Sequence, residues 1–231
     1  MSNTQSRIYH PGPYVKRQIV PAVKSNDLSK EVVWTYLLAR KYQENIGDLA
    51  RQMCGVEEVL PEGAMIWLES YLYPTRKRQE EVKYWRSRAD LSLGNLEIAS
   101  DRSSQIRANG EWICIVESKW YDDIHSNRKY PNILQLSQLI EHALLLHSES
   151  EELPERVYVT LLTPQYFKKQ EGHFSKRAYF EKYYKYKSNA SYLEKDLKLC
   201  PLAFLKHNER VLLERIKSLV LRWVTFEDVL G

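Results

Sequence analysis

The sequence predicts an α/β protein with a mixed central β-sheet flanked by helices. Two short apolar segments, residues 112–116 and 157–162, are rich in β-branched residues and predict buried strands. Residues 132–146, between them, carry apolar side chains at helical spacing. A strand, a helix and a strand in this order require a crossover connection, which places the two strands parallel in one sheet. We expect about four or five strands, together with a helical insertion over residues 165–198.

The composition indicates an ordinary globular chain with one elaborated domain. Its 231 residues are enough to bury a full core, and 43% apolar and 28% charged residues are usual proportions for such a domain. The polar first residues and the lack of any apolar stretch of about twenty residues predict neither a signal peptide nor a membrane span. Three widely spaced cysteines argue against a disulfide framework or a zinc site, so a reducing cytoplasm is the expected location.

The remaining chain divides into an arm and several further elements. Prolines within residues 1–26 favour an extended arm, which leaves residues 27–231 as a single domain with its core at about 85–165. Apolar residues at helical spacing predict three more helices: from Asp27 or Ser29 to Tyr42, over residues 61–73, and from Asn208 onward. Residues 220–226 predict the last strand.

The most informative stretch is the end of the strand predicted at residues 112–116. It continues directly into Glu117, Ser118 and Lys119, so a buried strand carries a carboxylate and an ammonium group into its last residues. Residues two apart on a strand point the same way, which brings the Glu117 and Lys119 side chains together. An earlier segment of alternating apolar and polar residues contains Asp90, and if the two strands pair, Asp90 meets Glu117.

Two carboxylates with a lysine form a set of groups suited to magnesium-dependent hydrolysis. Mg²⁺ prefers oxygen ligands and is usually held by one or two carboxylates, with a substrate phosphate completing its coordination. The ion lowers the pKa of a bound water and neutralises phosphoryl charge as the bond breaks. Asp90 and Glu117 are therefore the predicted metal ligands, and Lys119 is predicted to orient the attacking water or to stabilise the transition state.

The Glu-x-Lys pattern alone is weak evidence, because a second copy occurs at Glu81 and Lys83. That copy lies in a charged run, whereas Glu117 and Lys119 close an apolar strand, where an unpaired ion would cost several kcal/mol. The alternative interpretation is an edge strand that emerges into water at Glu117.

These segments resemble the PD-(D/E)xK nuclease superfamily, which has the restriction endonuclease-like fold. The resemblance covers residues 85–165 and is carried by "RADLSLG" with Asp90, by "ICIVESKW" with Glu117 and Lys119, by the helix "NILQLSQLIEHALLL" and by the strand "RVYVTLLTP". It implies that Asp90, Glu117 and the Ser118 carbonyl bind Mg²⁺, with Mn²⁺ as an alternative ion. It also implies that Lys119 is catalytic.

Two departures from the family pattern are visible. Ala89 stands in the place of the motif's proline, a position that contacts no metal. The connection from Asp90 to Glu117 is long, so Asp101 is a second candidate for the aspartate.

The resemblance also implies supporting residues, because related nucleases often take a further acidic residue from an early helix and carry a glutamine facing the catalytic strands. The candidates for these roles are Glu31, Glu44, Glu69, Gln135 and Gln138. A solvated helix face is the alternative for each glutamate, and an exposed polar stripe is the alternative for the glutamines. Asn132 followed by Gln135 also predicts a capping box at the start of the glutamine-bearing helix.

Two basic segments predict a surface for nucleic acid. Residues 76–88 hold six basic and two acidic residues and lead into the strand of Asp90. Residues 165–198 hold nine basic, nine aromatic and four acidic residues, so their positive excess is larger than the +4 of the whole chain. Lysines can follow phosphates while aromatic rings stack on bases, although a solvated face or a helical hairpin packed on the core explains the same composition. The residues assigned to nucleic acid are Arg76, Lys77, Arg78, Arg86, Arg88, Lys176, Arg177, Lys182 and Lys185.

The sequence therefore predicts a metal-dependent nuclease that cleaves DNA, with RNA as the alternative substrate. A hypothesis of a different class is a non-catalytic or partner-activated nucleic-acid-binding subunit that keeps the nuclease-like fold. The predicted arm and the lack of a recognisable motor or specificity domain fit a subunit of a bacterial defence or mobile-element system. Such a subunit would associate with protein partners or with further copies of itself.

Overall fold

The computed structural model describes residues 7–9, 21, 31–73, 87–99, 105–120, 134–169, 178–204 and 208–231. At its centre is a six-stranded mixed β-sheet whose spatial order follows the order along the chain. The strands are β1 (Ile8–Tyr9), β2 (Ile66–Leu72), β3 (Arg88–Ile98), β4 (Gln105–Ser118), β5 (Arg156–Thr163) and β6 (Leu219–Thr225). The helices are α1 (Glu31–Tyr42), α2 (Ile46–Cys54), α3 (Gln135–Leu144), α4 (Gln165–Lys169), α5 (Ala178–Ser188), α6 (Ala190–Lys198), α7 (Asn208–Arg215) and α8 (Phe226–Leu230), with 3₁₀ turns at Pro201–Phe204 and Ile216–Ser218.

Strand direction changes across the sheet. Strands β2, β3 and β4 form an antiparallel meander, whereas β1 is parallel to β2, and β4, β5 and β6 are parallel to one another. The β4–β5 register runs from Trp112 opposite Arg156 to Ser118 opposite Leu162, and α3 lies in the connection between the two strands. The predicted parallel pairing of these strands is confirmed. The sheet has six strands, not the expected four or five, because β1 and β2 extend it beyond β3.

Helices cover both faces of the sheet. On β4, Trp112, Cys114 and Val116 pack in the core shared with α1 and α2. The alternate residues Ile113 and Ile115 pack in the core shared with α3, α6 and α7. A strand covered on both faces is apolar along its whole length, so polar groups collect where the strand ends.

The helix predicted over residues 61–73 is wrong, because Ile66–Leu72 forms strand β2 between β1 and β3. Its first three residues, Ile-Trp-Leu, suit a buried helix or a buried strand equally, and a single sequence does not separate the two. Hydrogen bonding to a neighbour on each side stabilises the strand. Glu69 therefore lies on a strand and not on an early helix.

The described helix starts differ in part from those predicted. Helix α1 is described from Glu31, and its two predicted N-caps lie outside the described residues. Helix α3 begins at Gln135 with Leu134 as its N-cap, and that cap makes no side-chain hydrogen bond. Asn132 itself lies outside the described residues. A capping box needs Gln135 at the third position of the helix, and Gln135 is the first, so the predicted capping box is wrong.

The described part of residues 165–198 is helical, as predicted, and forms α4, α5 and α6. The ring of Tyr183 lies 5.2 Å from the ring of Trp223 on β6. The buried Tyr186 hydroxyl donates a 2.5 Å hydrogen bond to Asp196. These two tyrosines therefore pack on the core. No helix in the described parts of the chain combines the length and the apolar character needed to cross a membrane.

Candidate functional site

The end of β4 lies beside Asp90 of β3. Leu91 pairs with Val116 in the antiparallel ladder, so the same register places Asp90 opposite Glu117. The backbone N–H of Ser118 donates a 2.7 Å hydrogen bond to Asp90 Oδ2. Strands β3 and β4 therefore pair, as the predicted meeting of Asp90 with Glu117 requires.

The two carboxylate oxygens of Glu117, which is 1% exposed, have different surroundings. Oε1 accepts a 2.6 Å hydrogen bond from Gln135 Nε2 and lies 2.7 Å from Lys119 Nζ. Oε2 has no hydrogen-bond partner among the described residues. A buried polar atom without a partner costs about 1–3 kcal/mol, so Oε2 is an atom that a ligand would stabilise.

Lys119, which is buried, places its ammonium group between two carboxylates. Its Nζ is 2.7 Å from Glu117 Oε1 and 3.6 Å from Glu31 Oε1 on α1. Burial by itself would lower the pKa of Lys119, but the charges of the neighbouring carboxylates outweigh burial and raise the pKa above its usual value. The ammonium group is therefore charged at neutral pH.

Burial shifts the pKa of the acidic groups in the opposite direction. It raises the pKa of Asp90, against the opposing charge of Lys119. It also raises the pKa of Glu117, where Lys119 again opposes the effect and Asp90 adds to it. Two carboxyl groups at one buried point with a single lysine therefore favour the binding of a proton or a further cation.

Glu69 is the third acidic group at this point. The β2–β3 register places it opposite Asp90. Its side chain is 5% exposed, and its Oε2 lies 3.0 Å from Arg88 Nε without forming a hydrogen bond. Its φ of 53° lies in the left-handed region, which is unusual for a strand residue other than glycine. Burial, followed by the charge of Asp90, raises the pKa of Glu69 to about 8.

Of the other predicted acidic residues, only some lie at the site among the described residues. Glu31 contacts the site through its ion pair with Lys119. Glu44 is exposed in the connection between α1 and α2. Asp101 lies outside the described residues. Glu31 and Glu69 are thus the predicted additional glutamates that the structure brings to the site.

The two predicted glutamines on α3 have different surroundings. Gln135 is hydrogen-bonded to Glu117, so its amide serves the end of β4 and not the start of its own helix. Gln138 is buried one turn further along the same helix. Gln135 is therefore the glutamine that positions a site carboxylate.

Thr35, which joins α1 to the end of β4, lies at the site although it is not among the predicted residues. Its buried Oγ1 lies 3.0 Å from Ser118 Oγ and 3.0 Å from the carbonyl oxygen of Glu31. Thr35 follows Glu31 by four residues and so shares its helix face, which is the signal that could have identified it.

Most residues assigned to nucleic acid lie outside the described part of the chain. These are Arg76, Lys77, Arg78, Arg86, Lys176 and Arg177. Among the described ones, Arg88 lies at the site, while Lys182 Nζ is 2.5 Å from Asp196 and Lys185 Nζ is 2.5 Å from Glu181. The exposed Lys185 pair joins residues four apart on one helix, whereas Lys182 joins α5 to α6.

The donor set fits a hard divalent cation that takes few protein ligands. Asp90 and Glu117 supply two buried carboxylates, and Glu117 Oε2 lacks a partner among the described residues. Mg²⁺ requires only one or two carboxylates and keeps several waters. Within the described ranges, no three His, Cys, Asp or Glu side chains form a group that could hold a metal by itself. The residues are thus suited to Mg²⁺ or Mn²⁺ shared with water and substrate.

No protein-family model matches the chain, and no curated protein or solved structure is similar to it. The function is therefore inferred from the fold and from the site.

Proposed function

We propose that this protein is a metal-dependent nuclease with a PD-(D/E)xK site, which hydrolyses phosphodiester bonds in DNA. The observation that carries the proposal is the burial of Asp90 opposite Glu117, with Lys119 Nζ 2.7 Å from the Glu117 carboxylate. The order of elements supports it, because a helix, a three-stranded meander, a crossover helix and a parallel strand resemble the restriction endonuclease-like core.

Asp90, Glu117 and the carbonyl oxygen of Ser118 would hold the Mg²⁺ ion. When bound, the ion supplies an acidic water and neutralises charge on the phosphate. Asp90 also accepts the Ser118 N–H, which fixes the peptide at the end of β4. Gln135 holds Glu117 Oε1 and so orients the carboxylate with its second oxygen available.

Lys119 supplies the positive charge for the hydrolytic step. Its ammonium group is a donor that can orient the attacking water or stabilise negative charge on the phosphoryl oxygens. Because the neighbouring carboxylates raise the pKa of Lys119 above its usual value, the ammonium group is charged at neutral pH and is available as a donor.

A polyanionic substrate agrees with the distribution of charge. The chain has a net charge of +4, and the basic run at residues 76–88 ends two residues before Asp90. Cations beside a metal-dependent site can hold the phosphates that flank the scissile bond. RNA has the same phosphate chemistry, so both polymers belong in the assay.

The test is incubation of the purified protein with plasmid, linear DNA and RNA in Mg²⁺, in Mn²⁺ and in EDTA. We expect cleavage that requires a divalent ion and is lost in Glu117→Gln and in Lys119→Ala. Glu111→Gln is the matched control, because Glu111 lies on the same strand with its side chain 75% exposed. Cleavage that survives in the Glu117 and Lys119 variants would show that another site, or a contaminant, is responsible.

A partner-activated subunit is the second candidate, and one observation favours it. Asp90, Glu117 and Lys119 are 7%, 1% and 6% exposed, so a phosphate group can reach them only if part of the protein moves. Binding of a partner protein could supply that opening. Cleavage that appears only after a second protein is added would support this version, whereas strong cleavage by the isolated chain would contradict it.

A further inference from the structure

The loop that connects α2 to β2, residues 55–65, exposes two aliphatic side chains to solvent. Val59 is 87% exposed and Val56 is 49% exposed. Single apolar residues are common on protein surfaces, so exposure by itself indicates little. What distinguishes this segment, which we call the Val59 loop, is the way in which the sheet holds it.

The Val59 loop is tied to the start of two strands. The indole Nε1 of Trp112 on β4 donates a 2.8 Å hydrogen bond to the Val59 carbonyl oxygen. Glu58 accepts two hydrogen bonds from Arg156 on β5, of 2.9 and 3.1 Å, and one of 2.5 Å from the Tyr158 hydroxyl. Val59 is therefore held in an exposed position by the sheet. A side chain that is already fixed loses little further conformational entropy on binding, which suits it to anchor an interface.

The surroundings of Val59 carry negative charge. Arg156, which binds the loop, also lies 3.5 Å from Glu111 and 3.7 Å from Glu155, and both of these glutamate side chains are 75% exposed. Glu57 is a further exposed glutamate within the loop itself. Three exposed carboxylates around one arginine give this surface a negative potential. It would repel a nucleic acid and attract a basic protein surface.

A second surface of the same chain has complementary properties. An apolar groove of about 370 Å³ lies between β6, the last strand of the described sheet, and helices α5 and α6. Val220 in this groove is 38% exposed, so the groove has apolar surface in contact with water. Its lining includes one charged side chain, that of Lys187, and the exposed Lys217 follows the lining residue Ile216. Other residues of this β6 groove are Tyr186, Leu193, Leu219 and Leu221.

We propose that the β6 groove of one copy of this protein receives Val59 of a second copy. A fixed, protruding aliphatic side chain matches an apolar groove, and the glutamates around it match Lys187 and Lys217, so shape and charge agree. Both halves of the contact are present on one chain, so a second copy is sufficient to supply the occupant. The two halves are different surfaces, which makes the contact heterologous. This inference concerns assembly and does not depend on the proposed nuclease activity.

The experiment is sedimentation velocity of the full chain over a range of concentrations, without nucleic acid. The proteins compared are the wild type, Val59→Asp, Val220→Asp and the control Leu199→Asp, whose side chain is 51% exposed and lies outside the groove lining. We expect the wild type and Leu199→Asp to associate equally, and the other two variants to associate at least about tenfold more weakly. Added salt should weaken association of the wild type, because it screens exposed charges. All three positions are exposed, so an unchanged melting temperature shows that each variant is folded.

A mixture of the two weakened variants is the sharper test. Val59→Asp keeps an intact groove and Val220→Asp keeps an intact Val59 loop, so a mixed pair regains one complete contact. We expect heterodimers in the mixture at concentrations where each variant alone is monomeric. A monomeric wild type would overturn the inference and leave a partner of different sequence as the occupant of the groove. Association that persists in both variants, or a mixture that stays monomeric, would also overturn it, and neither result bears on the nuclease proposal.

Discussion

Gln135 Nε2, on the first residue of α3, donates a 2.6 Å hydrogen bond to Glu117 Oε1 at the end of β4. This contact joins the crossover helix to the strand that carries the candidate site. The N-terminus of α3 has no side-chain cap, because the apolar Leu134 occupies the N-cap position. The helix therefore begins without a side-chain cap, while its glutamine orients the buried carboxylate of Glu117.

Replacing Gln135 should weaken catalysis more than folding. In Gln135→Ala, Glu117 loses the donor that fixes its orientation, and we expect a fall of about 10–100-fold in metal-dependent cleavage or in Mn²⁺ affinity. Gln165→Ala is the control, since Gln165 is an exposed glutamine at the start of α4. Equal rates for the two variants would show that the Gln135 contact has no catalytic importance.

Neutralising one of the proposed metal-ligating carboxylates should separate DNA binding from cleavage. Without metal, and at a pH where they are ionised, Asp90 and Glu117 repel the phosphate backbone, and like charges about 4 Å apart repel by about 4 kcal/mol at an effective dielectric constant near 20. Asp90→Asn and Glu117→Gln should therefore abolish cleavage while DNA affinity in EDTA stays equal or rises. Fluorescence anisotropy measures that affinity, and a clear loss in EDTA would mean that these carboxylates serve the fold and not the metal.

The two described lysines of α5 should behave differently. Lys182 forms an ion pair with Asp196, which also accepts a hydrogen bond from Tyr186. Lys182→Ala should therefore destabilise the protein by about 1 kcal/mol. Among the described residues Lys185 has one ion pair, the exposed one with Glu181, so Lys185→Ala should leave the melting temperature unchanged.

The salt dependence of DNA binding tests whether Lys185 contacts DNA. If α5 contacts DNA, Lys185→Ala should reduce the slope of log affinity against log salt by about one unit. An unchanged affinity and slope would place nucleic-acid binding elsewhere, with residues 76–88 as the next candidate.

The metal-free protein should lose stability as the pH rises. Burial raises the pKa of Glu69 from its ordinary 4.5 to about 8, so the folded state keeps a proton that the unfolded state has released. The stabilising contribution of this proton is complete below about pH 4.5 and is lost as the pH rises towards 8, at up to about 1.4 kcal/mol per pH unit for one group.

Denaturant titrations in EDTA at several pH values between 5 and 8 measure this effect. The free energy of unfolding should fall with pH in the wild type and fall less steeply in Glu69→Gln. Asp228, whose pKa is lowered by its hydrogen bond with Thr225, affects stability only at lower pH and does not mask the trend. A stability that rises over this range would mean that Glu69 is ionised in the fold.

Two parts of the site could be predicted from the sequence, and the reason is local. The apolar run before Glu117 and the alternation around Asp90 fix which side chains share a face. Pairing of the two strands then brings the carboxylates together without further information. The parallel pairing of β4 with β5 was likewise predictable, because the intervening helix requires a crossover.

Glu69 is among the predicted acidic candidates, but its position on a strand was not predictable in the same way. Its segment suits a helix as well as a strand, and nothing in the sequence indicates its left-handed φ of 53°. Gln135 was predictable in part, because the family resemblance implies a glutamine that faces the catalytic strands, but the sequence does not show that its partner is Glu117. Both residues take their roles from contacts made across the sheet and not from their neighbours in the chain.

Glu31 is expected to act through Lys119 and not through the metal. Its carboxylate lies 3.6 Å from Lys119 Nζ, beyond a normal hydrogen bond, and its side chain is 35% exposed. Glu31→Gln should therefore slow cleavage by less than about tenfold and change Mn²⁺ affinity by no more than about threefold, because it weakens only the electrostatic support of the ammonium group. Glu44→Gln, at an exposed position beyond the same helix, should change neither quantity. A tenfold loss of Mn²⁺ affinity in Glu31→Gln alone would instead identify Glu31 as a direct ligand.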